Sequence, residues 1–277
     1  MVKQSDYKEP EVQICFSVLL ELMTILGGFR ENIVIVGGSV PPLLIPETKP
    51  KYPGTLDIDI ALDFKSISDD SYKTILKTLK EKGYYQKEGA QPFKFYRDVN
   101  EMTVEIDLLA GEYGGTGKSR RHQIVQEVKA RKVRGCDLVF DRFIKIELYG
   151  ILPGGAANKV TVKVPEIGPF LITKGMALWD RGKEKDAFDI YYCCKHYPGG
   201  IPALVEAIKP LLGNNLVKEG LGKIKAKFEE INFIGPNYVA DFLEISNAEE
   251  RDIVKREAFE LVNTLMEKFG IEPFKEI

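Results

Sequence analysis

Leu56-Asp57-Ile58-Asp59-Ile60-Ala61-Leu62-Asp63-Phe64 is the most regular alternating stretch of this 277-residue chain, and its reading decides the fold. Leu56, Ile58, Ile60, Leu62 and Phe64 share one parity; Asp57, Asp59 and Asp63 share the other with Ala61. Successive side chains of a strand point to opposite faces, so the stretch predicts a strand with one apolar face and carboxylates gathered on the other. Met102 to Leu109 repeats the pattern, with Met102, Val104, Ile106 and Leu108 opposed to Thr103, Glu105 and Asp107.

Outward from these strands, Ile33 to Val36 is a β-branched run ended by Gly37-Gly38, which predicts a buried strand entering a tight turn. Glu11 to Leu26 has apolar residues at helical spacing and stops at Gly27-Gly28, as an amphipathic helix does. Pro41-Pro42 to Pro53-Gly54 is a Pro-rich loop or very short helix, Ser71 to Lys82 a helix, and Phe93 to Tyr96 a strand. Further strands are expected at Cys136 to Phe140, Phe143 to Leu148 and Lys159 to Val164. After Pro169 strand signals stop. Helical periodicity covers about Thr173 to Tyr197, Pro202 to Leu212, Asn215 to Glu230, Asn237 to Leu243 and Ala248 to Phe269. The expectation is an α/β (α+β) domain over 1–170 followed by an all-helical domain over 171–277.

Composition sets the outer limits. Apolar residues make up 44% and charged residues 29%, with 39 Lys+Arg against 41 Asp+Glu, the balance of a globular chain with a real core. Its apolar runs fall far short of the roughly 18 residues of a membrane span. The start, MVKQSDYKEP, lacks an apolar signal region, so the expected location is the cytoplasm and no membrane partner is expected. Cys15, Cys136, Cys193 and Cys194 show no metal or disulfide spacing and read as reduced, buried thiols. Lys118, Arg120, Arg121, Lys129, Arg131, Lys132 and Arg134 face only Glu127 in one short run, which suits a polyanion such as RNA or a triphosphate and equally a solvated helix face plus loop.

Two carboxylates two apart on a strand, with a third on a neighbour, are a standard way to hold divalent cations with hard oxygen ligands. Asp57, Asp59 and Asp107 are the candidates, and solvated aspartates on an edge strand are the alternative. With 15 Asp in the chain, about 0.8 D-x-D triplets are expected by chance, so order and setting carry the signal rather than the triplet. The order is strand, Gly37-Gly38-Ser39 turn, loop, Thr55-x-Asp57-x-Asp59 strand, then Glu105-x-Asp107 strand. A glycine turn opening a helix offers backbone N–H groups to a phosphate, and Ser39 adds a hydroxyl.

Val36-Gly37-Gly38-Ser39, Thr55-Leu56-Asp57-Ile58-Asp59-Ile60 and Val104-Glu105-Ile106-Asp107-Leu108 together resemble the polymerase-β-like nucleotidyltransferase core, which has a mixed sheet. Lys174-Gly175-Met176-Ala177-Leu178, Arg181, Lys183, Lys185-Asp186 and Asp189-Ile190-Tyr191 are similar to motifs of the AbiEii/AbiGii toxin-like nucleotidyltransferases. The resemblance implies a Mg²⁺-dependent enzyme that transfers NMP from an NTP to an acceptor hydroxyl and releases pyrophosphate. It implies two Mg²⁺ ions on Asp57, Asp59 and Asp107, a phosphate turn at Gly37, Gly38 and Ser39, and Thr55 in the place of the family's Ser/Thr before D-x-D. Lys174 would neutralise triphosphate charge, with Arg181, Lys185 and Asp186 completing the nucleotide site. The implied acceptor is RNA such as tRNA, with proteins and small molecules of the antibiotic type open, and an antitoxin is an implied partner. A non-catalytic nucleotide- or RNA-binding module, a toxin–antitoxin interaction module and a phosphate-ester hydrolase are the alternatives. The chain departs from the family in the 18-residue Pro-rich interval between Gly38 and Asp57, and in the two prolines after Ser39-Val40. For Lys174 to Asp189, i,i+4 ion pairs on a solvated helix face are the plain alternative.

Overall fold

The computed structural model of the chain describes residues 3–46, 48–112, 122–125 and 128–276. In chain order these form α1 (Glu9–Ile25), β1 (Ile33–Val36), α2 (Pro41–Leu44), β2 (Asp57–Leu62), α3 (Asp69–Glu81), β3 (Lys94–Val99), β4 (Met102–Ala110), β5 (His122–Val125) and β6 (Val128–Lys132). There follow α4 (Leu138–Asp141), β7 (Phe143–Ile151), β8 (Ala157–Pro165), α5 (Ile167–Arg181), α6 (Glu184–His196), α7 (Gly200–Ile208), α8 (Asn215–Lys227), α9 (Ile234–Phe242) and α10 (Ala248–Lys268). The fold is mixed α/β, and the chain divides into two compact units. One comprises Tyr7–Val40 and Pro53–Glu166; the other comprises Met1–Asp6, Pro41–Tyr52 and Ile167–Ile277. The division is therefore not one cut near residue 170, because the Pro-rich segment 41–52 packs with the helices.

In the first unit, the main sheet runs β1-β2-β4-β6-β5, with β3 beside β4. β2/β4 and β4/β6 are parallel, while β1/β2, β3/β4 and β5/β6 are antiparallel, so the sheet is mixed. β7 and β8 form a separate antiparallel hairpin. Ile58, Ile60 and Leu62 are fully buried on the apolar side of β2, as are Val104, Ile106 and Leu108 on β4. The opposite face turns apolar at its far end, where Ala61 and Leu109 pack with Val34, Val36, Cys136 and Val139. α1 starts with Pro10 and two glutamates in its first turn, which suits the orphan amides and positive end of a helix.

Three expectations change. Cys136 to Phe140 is no strand. Gly135 takes φ +82° and Leu138–Asp141 is a helical turn, so Cys136, Val139 and Phe140 reach the sheet at three-to-four-residue spacing rather than by alternation. Thr173 to Tyr197 is broken at Gly182, whose φ of +57° ends α5 in the left-handed conformation that glycine adopts without strain. In the basic run, β5 and β6 are strands and not a helix face; the side chains of Lys118, Arg120, Arg121 and Lys129 lie outside the described residues.

In the second unit, α5 and α8 meet along glycines. A Cβ on Gly175 would stand 2.4 Å from the Gly220 carbonyl oxygen, and one on Gly220 would stand 2.7 Å from Ile172, so only hydrogen fits at either position. Phe170, Phe228 and Phe242 are fully buried. All four cysteines are free and buried. Among the described residues, no helix is long and apolar enough to cross a membrane.

Candidate functional site

The parallel register of β2 and β4 sets Asp57 beside Glu105 and Asp59 beside Asp107. Because residues two apart share a face, the four carboxylates form a two-by-two array on adjacent strands. β3 closes the far side, with Lys94 opposite Asp107 and Tyr96 opposite Glu105. The Lys94 ammonium donates to Glu105 Oε1 and, at 3.0 Å, to Asp107 Oδ1. Arg131 Nη1 of β6 is 3.8 Å from Asp107 Oδ2.

The glycine turn backs onto this array. Gly37 takes φ +68°, and a Cβ there would stand 2.0 Å from Asp59 Oδ2; a Cβ on Gly38 would stand 2.6 Å from the Thr55 hydroxyl oxygen. Both glycines are therefore demanded by close approach, the first also by its backbone angle. Thr55 in turn donates its hydroxyl to Asp57 Oδ1 at 2.5 Å. Gly37–Ser39 is a single 3₁₀ turn in which Gly38 and Ser39 are buried. Gly37, Gly38, Ser39, Thr55, Asp57, Asp59 and Asp107 thus belong to one neighbourhood of the sheet unit.

Its electrostatics are those of gathered negative charge. Asp107 is only 7% exposed, and burial pushes its carboxyl pKa up although Lys94 and Arg131 pull the other way. Lys94 resists the burial that would lower its pKa and is held above its ordinary value by Glu105 and Asp107. The Cys15 thiol is raised by burial and by Asp57 and Asp59, and that of Cys136 by burial, Asp137 and Asp59.

Among the described residues, no three His, Cys, Asp or Glu side chains already stand at metal-holding geometry. The donor set is nonetheless of the right chemistry for Mg²⁺, which prefers carboxylate oxygens and fills its shell with waters and substrate phosphates. Sequence reasoning missed Lys94, whose parity with Tyr96 on β3 was its only trace. It also missed Asp137, whose Oδ2 accepts the Glu112 amide at 3.0 Å and whose Oδ1 would be 2.2 Å from a Cβ on Gly111.

In the helical unit, Lys174, Arg181, Lys185, Asp186 and Asp189 also come together. Lys174 Nζ lies 3.0 Å from Asp186 Oδ1 and 2.7 Å from Asp189 Oδ2. Arg181 forks onto Asp186 with bonds of 2.7 and 2.8 Å. Lys185 Nζ lies 3.1 Å from Asp189 Oδ1 and donates to the Tyr52 hydroxyl at 2.5 Å, while that hydroxyl donates to Asp189 at 2.7 Å. Asp186 and Asp189 are 1% and 0% exposed, so the Lys185–Asp189 pair is not on the solvated face that i,i+4 spacing suggested. Burial works against the Asp186 carboxylate, yet Lys174 and Arg181 hold its pKa down to about 2; the same carboxylates hold Lys174 above its ordinary value against burial. The Lys174 ammonium is thus already committed to two protein carboxylates.

No family model matches the chain, and no curated protein does. Among solved structures, the crystal structure of JHP933 from Helicobacter pylori is similar, with 14% sequence identity, a TM-score of 0.37, and coverage of 92% of this chain and 94% of that one.

Proposed function

We propose that this chain is a Mg²⁺-dependent nucleotidyltransferase that moves NMP from an NTP to an acceptor hydroxyl, with RNA such as tRNA as the acceptor. The observation that carries this reading is the in-register pairing of Asp59 with Asp107, with the backbone of Gly37 packed against Asp59. Backbone amides bare of side chains beside paired carboxylates are what a triphosphate with its cation needs: donors for the phosphate oxygens and hard oxygen ligands for the metal. Asp57, Asp59 and Asp107 would hold the two Mg²⁺ ions, with Thr55 fixing the Asp57 carboxylate and the Gly37-Gly38-Ser39 turn receiving phosphate. When bound, Mg²⁺ lowers the pKa of the attacking hydroxyl and offsets charge as pyrophosphate leaves. The new bond joins the acceptor oxygen to the α-phosphorus, and the bond to the β-phosphate oxygen breaks. Asp107 would hold the ion that activates the acceptor hydroxyl, and the hydroxyl proton goes to solvent water.

The test incubates the full chain with Mg²⁺ or Mn²⁺, each labelled NTP in turn, and total RNA, protein extract or aminoglycosides, beside Asp57→Ala/Asp59→Ala. Label in RNA with the native chain alone supports the reading, and label in another pool moves the acceptor to that class. Metal-dependent nucleotide binding without pyrophosphate release means a binding module, and free phosphate or NMP without labelled acceptor means a hydrolase. The nucleotide roles suggested for Lys174, Arg181, Lys185 and Asp186 are tested on their own, by nucleotide affinity in Lys174→Arg and Arg181→Lys.

A further inference from the structure

Four carboxylates on neighbouring strands repel one another, and one more than the cation-holding trio is present: Glu105, beside Asp57 and two residues from Asp107. Lys94 meets this excess. It stands opposite Asp107 on β3, its side chain is 22% exposed, and its ammonium is shared by Glu105 and Asp107 Oδ1. Asp107 Oδ2 is left to the looser approach of Arg131 at 3.8 Å.

We infer that Lys94 is a positioning residue of this face: it draws Glu105 toward β3, fixes the Asp107 carboxylate through Oδ1, and keeps Glu105 from becoming a fourth cation ligand. The inference rests on the metal-binding reading of Asp57, Asp59 and Asp107. A lysine is fitted to this task, being a compact point charge that can serve two carboxylates at once. With the ammonium gone, a divalent cation meets one more uncompensated carboxylate and one fewer positive charge within a few ångströms. Binding then tightens while the ligand set changes. A salt bridge that merely stabilised β3 against β4 would tighten cation binding through the lost charge alone and leave the ligand set, and so the bound-ion spectrum, where it was.

The experiment is Mn²⁺ binding to the full chain, followed by the electron-spin resonance of free and bound ion, in native protein, Asp59→Asn, Lys94→Met and Lys94→Arg. Methionine keeps the length of the lysine stem, and a melting curve of each variant reports folding. The expected result is Asp59-dependent binding in the native chain, a Kd lower by about tenfold in Lys94→Met with an altered bound-ion spectrum, and a Kd within about twofold of native in Lys94→Arg. Asp59-dependent binding with an unchanged bound-ion spectrum in Lys94→Met, whatever its Kd, overturns the positioning role of Lys94 alone. Absence of Asp59-dependent binding in the native chain overturns the metal-binding reading and the inference with it. Should Lys94→Met not fold, Lys94→Arg decides: a changed Kd in that folded variant overturns the inference.

Discussion

The sheet unit and the helical unit each gather aspartates and basic side chains, and they do so under opposite conditions. In the helical unit two carboxylates, Asp186 and Asp189, are almost wholly buried and ringed by Lys174, Arg181, Lys185 and the Tyr52 hydroxyl. In the sheet unit Asp57 is exposed and Asp59 half-buried, while Lys94 and Arg131 both approach Asp107 at the other end of the array. Buried charge survives only with partners, and the first cluster has its partners within its own unit. Under the proposed reading, the charge gathered at a partly open face against bare backbone would meet a cation and its phosphate from solution.

The widest separation between the two clusters should appear on removing one carboxylate from each. Asp189→Ala leaves Lys174 and Lys185 short of a partner in a buried setting and should cost ~3–5 kcal/mol in denaturant unfolding of the full chain. Asp57→Asn should change stability by less than ~1 kcal/mol, since an exposed like charge is lost, and should abolish nucleotidyl transfer if the proposed reading holds. Equal losses from both would erase the contrast. Next in size is Gly37→Ala, which forces a side chain into φ +68° and against Asp59 Oδ2. It should cost ~1–3 kcal/mol and lower transfer by more than tenfold.

Acid sharpens the comparison. The folded-state pKa of Asp186 is depressed to about 2, so its contribution to stability is present above the ordinary carboxyl value near 4 and is lost as pH falls from there through about 2. The acid unfolding curve of the native chain should therefore steepen across that window, and Asp186→Asn should flatten it while lowering stability at neutral pH. Asp107 has the opposite shift: its folded pKa is raised, so protonation favours the native state and the group stabilises increasingly as pH falls. The smallest effect belongs to Lys159→Ala, whose 2.7 Å pair with Glu147 on the hairpin is more than half exposed on both sides. It should move unfolding by under ~0.5 kcal/mol.

Strand alternation made β2 and β4 readable, because each has one face committed to the core and one to carboxylates. Their parallel pairing was not readable, since register between strand partners 48 residues apart depends on the whole sheet. Lys94 was overlooked for the same reason: only β3 lying antiparallel to β4 brings it to Asp107. Cys136 to Phe140 misled as a short apolar run, for which strand and helical turn look alike until length and neighbours decide. The helix pattern around Lys174 to Asp189 was visible, but its burial was not, because periodicity does not say what covers a helix. Here the cover includes Tyr52, far upstream.

That upstream tyrosine gives the helical unit a biosynthetic order of its own. Tyr52 and Asp189 are 137 residues apart in the chain, so at about 5–20 residues per second a ribosome makes the hydroxyl roughly 7–27 s before the carboxylate that it will bond. Until residue 167 is made, the segment 41–52 has no α-helix of its unit to join beyond its own α2, and a chain begun at residue 167 would never meet it.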